Sequence, residues 1–358
     1  GFDGDLVVLF GDTPFIRPGT LAAIREARAQ GADLVALGFE AAEPGRYGRL
    51  VTGPGRMLER IVEARDATPE ELAIRLCNSG VMAGDCATIL RLLGRVGTDN
   101  AQGEVYLTDI MALAHAEGRA PRVVLCDEAE TLGVNDRAQL AAAEAAFQAR
   151  ARAEAMAGGA TLVAPETVFL AWDTALGPDV TVEPHVVFGP GVRVAEGSTI
   201  RAFTHLEAAE IGPGCSIGPH ARLRGGTRLA EGVRIGNFVE TKNADLGRGV
   251  KAGHLTYLGD ARVGAETNFG AGTITCNFDG VDKHRTEIGE RAFIGVNTAL
   301  VAPIRIGDGA YVATGAVLTR DVPGDTLAIA RAEQTNREGR AARLREKLTR
   351  RKADKAGK

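Results

Sequence analysis

The sequence predicts α/β plus all-β architecture. A partial Rossmann-like sheet domain spans residues 1–137, a helical arm 138–159, a left-handed parallel β-helix 160–331, and a basic tail 332–358. Three observations predict it. Short apolar runs alternate with helical stretches in the first part, the pattern of a sheet covered by helices. An Ala-, Gln-, Glu- and Arg-rich stretch without Gly or Pro follows, which reads as one long helix. From Val180 onward an aliphatic residue recurs every sixth position, a period that no helix produces.

Taken in order, Leu6-Val-Val-Leu-Phe10, stopped by Gly11-Asp12, reads as a parallel strand buried on both faces with a carboxylate at its C-terminal end, where open α/β sheets hold ligands. Pro18-Gly-Thr20 starts a helix over Leu21 to Gln30, and Gly31 stops it. Asp33 to Gly38 and Ile61-Val62 are further strands. Asn78 to Gly84 leads into a helix near Asp85 to Leu93, Gly103 to His115 is helical, and Arg122 to Cys126 is a last strand. The arm runs from Asn135 to Met156 and ends at Gly158-Gly159.

The repeat has three runs: Val180, Val186, Val192; after a slip, Ile211, Ile217, Leu223, Leu229, Ile235; then Ile288, Ile294, Leu300, Ile306, Val312, Leu318. With Gly and small residues between, this is the hexapeptide signature of a solenoid in which each turn points aliphatic residues inward. Thr275 to Glu287 interrupts the register and is expected to loop out from a corner. Flat polar faces predict side-by-side association as a homotrimer, with sites shared between prisms.

Composition sets the outer limits. With 45% hydrophobic residues the chain buries ample core, while 46 Gly and 5% aromatics suit tight corners and a narrow interior. The net charge of -4 divides into +6 over residues 332–358 and -10 elsewhere. Such a tail can meet nucleic acid, a membrane surface or a phosphorylated metabolite, or be a solvated end. No apolar run reaches the roughly 18 residues of a membrane span, and no signal peptide is visible. Five cysteines without metal-ligand spacing predict reduced thiols in a cytoplasm. The chain begins without Met, as though the start of a domain were missing.

In the first part Asp12, the Tyr47-Gly48-Arg49 turn, Glu63, Asn78 and Asn135 are candidates. A carboxylate and an amide oxygen suit Mg²⁺, and the same residue types also serve as turn and capping residues. In the repeat, His254 stands in Lys251-Ala-Gly-His-Leu-Thr-Tyr257 amid unusual company: Arg224, Lys242 and Lys251 can hold an anion, Tyr257, Asn268 and Asn277 can orient a sugar, and Gly270-Ala-Gly272 lets backbone N–H groups approach a thioester.

The stretches Gly236-Asn-Phe-Val-Glu240, Lys251 to Asp260 and Gly270-Ala-Gly-Thr-Ile-Thr-Cys-Asn277 resemble the acetyltransferase domain of the bacterial bifunctional enzymes that make UDP-N-acetylglucosamine. In these, glucosamine-1-phosphate N-acetyltransferase is fused to N-acetylglucosamine-1-phosphate uridyltransferase. Gly11-Asp-Thr-Pro14, Tyr47-Gly-Arg49, Val62-Glu63, Asn78-Ser-Gly80, Gly103 to Ile110 and Gly133-Val-Asn135 extend the resemblance to the nucleotidyltransferase part. It implies that His254 is the general base on the 2-amine of glucosamine 1-phosphate, that Arg224 and Lys242 bind the sugar phosphate, and that Tyr257, Asn268 and Asn277 contact the sugar. Asn277 also groups with Phe278, Ala271, Val296, Thr314 and Arg331 at acetyl-CoA. The family often has Tyr where Phe278 stands and commonly Ser where Val296 stands. Asp12 and Asn135 become Mg²⁺ ligands, and Gly48, Glu63, Asn78 and Asn135 contacts to the uridyltransferase substrates. The family starts with a Gly-rich nucleotide loop upstream of anything in this sequence, so acetyl transfer is expected and uridylyl transfer from UTP is expected to fail. The implied partners are small molecules and copies of the chain, not nucleic acid or membrane. Two other readings are a zinc-dependent hexapeptide enzyme, for which His254 lacks companion histidines, and a trimerisation scaffold without catalysis.

Overall fold

The computed structural model describes residues 2–98 and 100–356. The chain divides into two units, Gly1–Phe147 and Gln148–Lys358.

In the first unit a six-stranded sheet has the order β4-β3-β5-β2-β6, with β1 beside β5. Its strands are β1 Asp5–Val8, β2 Leu34–Glu40, β3 Arg49–Thr52, β4 Leu58–Val62, β5 Leu76–Asp85 and β6 Arg122–Leu125. Its helices are α1 Pro18–Ala29, the single turn α2 Pro69–Leu72, α3 Cys86–Leu93 and α4 Ile110–Ala116, and α5 Arg137–Ala157 crosses into the second unit. Alternate residues of β2 serve two cores: Leu34 and Ala36 join Ile89, Leu92, Ile110 and Met111 on one face, and Val35 and Leu37 join Ile24 on the other. Both faces of the central strand are therefore dry, as its unbroken apolar run requires.

Two expectations change here. β1 is not a parallel strand buried on both faces. It runs antiparallel to β5, alternates exposed and half-buried residues, and ends before Leu9 and Phe10, which are exposed. Among the described residues β5 is its only neighbour, so one backbone edge faces outward. The helix expected from Gly103 begins only at the 3₁₀ turn Leu107–Asp109, because the Asn100 side chain accepts from the backbone N–H groups of Gln102 and Glu104 and folds that segment back on itself. Strand β3 escaped the sequence reading altogether.

The second unit is a left-handed parallel β-helix of about nine turns. One face is a ten-stranded parallel sheet, and the other two merge into a fourteen-stranded sheet where the seven-residue strands Glu240–Leu246 and Tyr257–Val263 continue round a corner. Turns of 17 or 18 residues keep register: Arg234 pairs with Lys251 and Lys251 with Asn268, whereas Asn268 pairs with Phe293, 25 residues on, because that turn carries the expected loop. Every hexapeptide has two inward positions, two residues apart. Val180, Val186 and Val192 occupy one; Val182, Phe188, Val194, Ile200 and Leu206 occupy the other, and all are buried. The slip in the sequence is a change from one position to the other, with Ile211 only five residues after Leu206.

Threonine takes inward positions near the middle of the stack, and the hydroxyls of Thr227 and Thr241 hydrogen-bond each other at 3.0 Å. One outer column, Arg193, Glu210, Arg228, Asp245, Arg262, Glu287 and Arg305, stacks in register with alternating charge, so neighbouring rungs attract. The tail is helical over α6, Arg340–Ala356, and exposed through Lys355. Burial pushes the thiol of Cys215 up, and that of Cys126 up to about 12, so both stay protonated.

Candidate active site at one corner of the prism

Outward residues Arg234, Lys251, Asn268, Phe293 and Tyr311 stack in register on the ten-stranded face. Three residues after each, the chain reaches a corner, placing Asn237, His254, Ala271, Val296 and Thr314 above one another. Backbone bonds knit this corner: Leu255 N to Asn237 O at 3.0 Å, Asn297 N to Ala271 O at 2.7 Å and Gly315 N to Val296 O at 2.8 Å. Rungs approach so closely that a Cβ on Gly236 would lie 1.8 Å from the oxygen of Gly253, and one on Gly270 2.6 Å from the nitrogen of Val296. Glycine is the residue those positions require. Arg331 lies beside the end of this stack, its Cδ 3.7 Å from where a Cβ of Gly315 would be.

His254 ends the strand Lys251–His254 and is exposed, with its Nδ1 2.8 Å from Asn237 Oδ1. Across the corner Leu255-Thr256, the same rung continues with Tyr257, in register with Glu240 below and Ile274 above. On this second face Arg224 and Lys242 come from successive turns. Arg224 bonds Glu240 at 2.9 Å, both half-buried. Lys242 faces Lys283 and Arg224, and these like charges hold its ammonium below the usual lysine range. Gly259 leaves room for its neighbours, since a Cβ there would lie 2.3 Å from the Tyr257 hydroxyl and 2.8 Å from Asn277 Nδ2. Asp260 accepts from Asn243 and Asn277, each at 2.6 Å, fixing the Asn277 amide.

The loop after Asn277 is a short hairpin bridged by Phe278 and Lys283. Asp279 accepts from the N–H groups of Val281 and Asp282 and from His284, which drives its carboxyl far below the usual range. The loop thereby carries Lys283 to Lys242.

Most of the residues singled out in the sequence thus gather around one corner. Lys251 does not join Arg224 and Lys242; it lies with Asn268 on the preceding face. Asn237, Glu240, Asp260 and Lys283 take part without having been assigned roles from sequence, because partners stand a full turn apart and no local pattern links them. A concavity of about 1480 Å³ runs instead along the alternating-charge column, where Arg228 pairs with Glu210 and Arg305 with Glu287. Charges that compensate one another there leave the corner as the place with chemistry to perform.

In the first unit Asp12 and Asn135 line one cavity of about 400 Å³ with Phe10, Thr13, Tyr47 and Ser79. Val134 N donates to Asp12 O at 2.8 Å, joining the two segments. Gly48 and Asn78 are joined by a backbone bond of 2.8 Å, and a Cβ on Gly48 would touch the Glu63 carboxylate at 3.4 Å. Burial pushes the Glu63 carboxyl up, against a hydrogen bond from Thr108. Among the described residues no three His, Cys, Asp or Glu side chains converge as a protein-only metal cage, and one carboxylate with one amide oxygen suits Mg²⁺, which keeps water and phosphate in its shell. No helix among the described residues is long and apolar enough to cross a membrane.

Fold and corner together define a hexapeptide-repeat acyltransferase. Residues 285–320 match the family described as hexapeptide repeat of succinyl-transferase. A relative from Ruegeria sp. (strain TM1040), the Bifunctional protein GlmU, is 60% identical over 99% of this chain and 79% of its own length. The protein of the same name from Cereibacter sphaeroides (strain ATCC 17025) is 61% identical over 96% of this chain and 75% of its own. Among solved structures, an Arabidopsis UDP-N-acetylglucosamine acyltransferase is 15% identical, with a TM-score of 0.26 over 50% of this chain and 75% of its own. The chain belongs to the Bifunctional protein GlmU family.

Proposed function

We propose that this chain transfers the acetyl group of acetyl-CoA to the 2-amine of glucosamine 1-phosphate. The observation that carries the reading is the crowding of Lys242, Lys283 and Arg224, three cations with the carboxylates of Glu240 and Asp260 among them, one corner away from His254 in the same rung system. A phosphate dianion relieves that repulsion and is held by charge-assisted bonds. With the phosphate there, Tyr257 and Asn277 border the sugar, Asn268 stands on the His254 side of the corner, and Nε2 of His254 takes a proton from the amine. The free amine nitrogen then attacks the thioester carbonyl, the C–S bond breaks, and the departing CoA thiolate takes the proton that the nitrogen sheds as the amide forms. Ala271, Val296, Thr314 and Arg331, stacked above His254, line the path of the CoA, with Phe278 beside Asn277.

For the first unit we propose the sugar-phosphate half of a uridylyl-transfer site, a binding site in which Asp12 and Asn135 hold Mg²⁺ and Gly48, Glu63 and Asn78 hold N-acetylglucosamine 1-phosphate. Bound metal would neutralise phosphate charge; the residues themselves orient the sugar. Calorimetry should show sugar-phosphate binding that needs Mg²⁺ and is lost in Asp12→Ala.

We also propose a homotrimer that shares the acetyl-transfer sites. Along one corner His185, Phe203, His220 and Phe238 stack ring on ring at 4.9–5.3 Å, and Phe203, Phe238 and Leu255 are exposed. This apolar edge leads into the His254 corner and suits the flank of a second prism.

The acetyl-transfer reading is tested by comparing glucosamine 1-phosphate with glucosamine while following CoA thiol release. The phosphorylated sugar should be strongly preferred, and Arg224→Ala should raise its KM about 10–100-fold, the loss of about 1.5–3 kcal/mol of charged hydrogen bonding. Equal turnover of both sugars refutes it.

A further inference from the structure

We infer that Asn237 is the positioning residue of the His254 base: its side-chain oxygen holds the imidazole as the Nδ1–H tautomer, so that Nε2 presents a lone pair to the substrate amine. The inference rests on the base role proposed above.

The geometry is built for this pairing. Asn237 and His254 are direct register partners on adjacent turns, and Asn237 Oδ1 lies 2.8 Å from His254 Nδ1. An amide oxygen only accepts, so Nδ1 must donate, and a neutral imidazole that donates at one nitrogen accepts at the other. The rungs can close to this distance because Gly236 has no Cβ to strike Gly253. The backbone of His254 is pinned as well: Thr256 Oγ1 donates to its carbonyl at 2.7 Å, and Leu255 turns the corner at φ 47°. An exposed imidazole lacking this partner would rotate and sample both tautomers, and in one of them Nε2 carries a proton and cannot serve as base. Because the acceptor is neutral, it fixes the tautomer without the added basicity that a carboxylate partner confers.

The test is ¹⁵N NMR of the full chain labelled with [¹⁵N]histidine, the His254 signal being identified by its loss in His254→Gln. In the wild type at a pH where the ring is neutral, Nδ1 should be the protonated nitrogen. Asn237→Leu should give a mixture of tautomers and lower kcat about tenfold or more, within the roughly 10²–10⁴-fold that a positioned base contributes, with KM for both substrates unchanged. Asn237→Asp, which retains the acceptor oxygen, should restore the Nδ1–H tautomer and most of the rate. A wild-type ring protonated at Nε2, or an Asn237→Leu protein that keeps both tautomer and rate, overturns the inference. The wild-type tautomer is read without any activity or substitution at Asn237, so a failure here is separate from a failure of the acetyl-transfer reading, which the sugar comparison decides.

Discussion

Lys242 and Lys283 reach the same point from a strand of the prism and from a loop a full turn and more further along, and the mutual repulsion lowers the Lys242 pKa. A depressed lysine pKa means that the native state holds the proton less tightly than the unfolded chain. The charge therefore counts against the fold below the folded pKa, and the penalty fades as pH rises through it towards the ordinary value of about 10.4. Filling the site with an anion should remove the penalty. Thermal unfolding near neutral pH should show a larger gain in Tm from phosphate over chloride, at matched ionic strength, in the wild type than in Lys283→Met. Equal gains would mean that no anion site exists there.

Gly236 bears on the corner through backbone geometry alone. Gly236→Ala places a methyl against the Gly253 carbonyl, which is backbone and cannot swing aside. Acetyl transfer should fall at least as far as in Asn237→Leu, and Tm should fall as well; an Ala variant with unaltered rate and Tm would show that the rungs are not so tightly stacked.

Most of the fold was legible because a period of six survives without any tertiary information: Ile288 to Leu318 keeps it without a break, and every residue in that run is buried. The site was legible only as a collection. His254, Tyr257 and Lys242 stand out locally by their chemistry, whereas the partners Asn237, Glu240 and Lys283 are set by turns of 17 or 25 residues that the chain does not advertise. β1 was misread because an apolar run of five looks alike whether it ends up in a sheet interior or at an edge. The loop at Asn100 was misread because an amide side chain, not the helical spacing further on, decides its path.

The threonine pair inside the prism offers a measure of its interior. Thr227→Val alone leaves the Thr241 hydroxyl buried without its partner, removes a donor from the Arg224 carbonyl, and should cost about 1–3 kcal/mol in urea unfolding; adding Thr241→Val should recover the part due to the Thr241 hydroxyl, since replacing both members of that pair by apolar groups of similar shape approaches neutrality. Additive losses would indicate that the hydroxyls do not interact.

The aromatic corner should report on assembly. Phe238→Glu puts a charge into the exposed apolar edge, and sedimentation should show loss of the proposed trimer together with loss of acetyl transfer. A trimer that persists with full activity would place the interface elsewhere.

His254, as the proposed base, should carry most of the rate of acetyl transfer to glucosamine 1-phosphate. Steady-state acetyl transfer by wild type and His254→Ala, with saturating acetyl-CoA, tests it most directly. In His254→Ala kcat should fall about 10²–10⁴-fold while Tm and the KM for the sugar phosphate stay close to wild type; a variant that turns over at the wild-type rate would show that His254 is not the base.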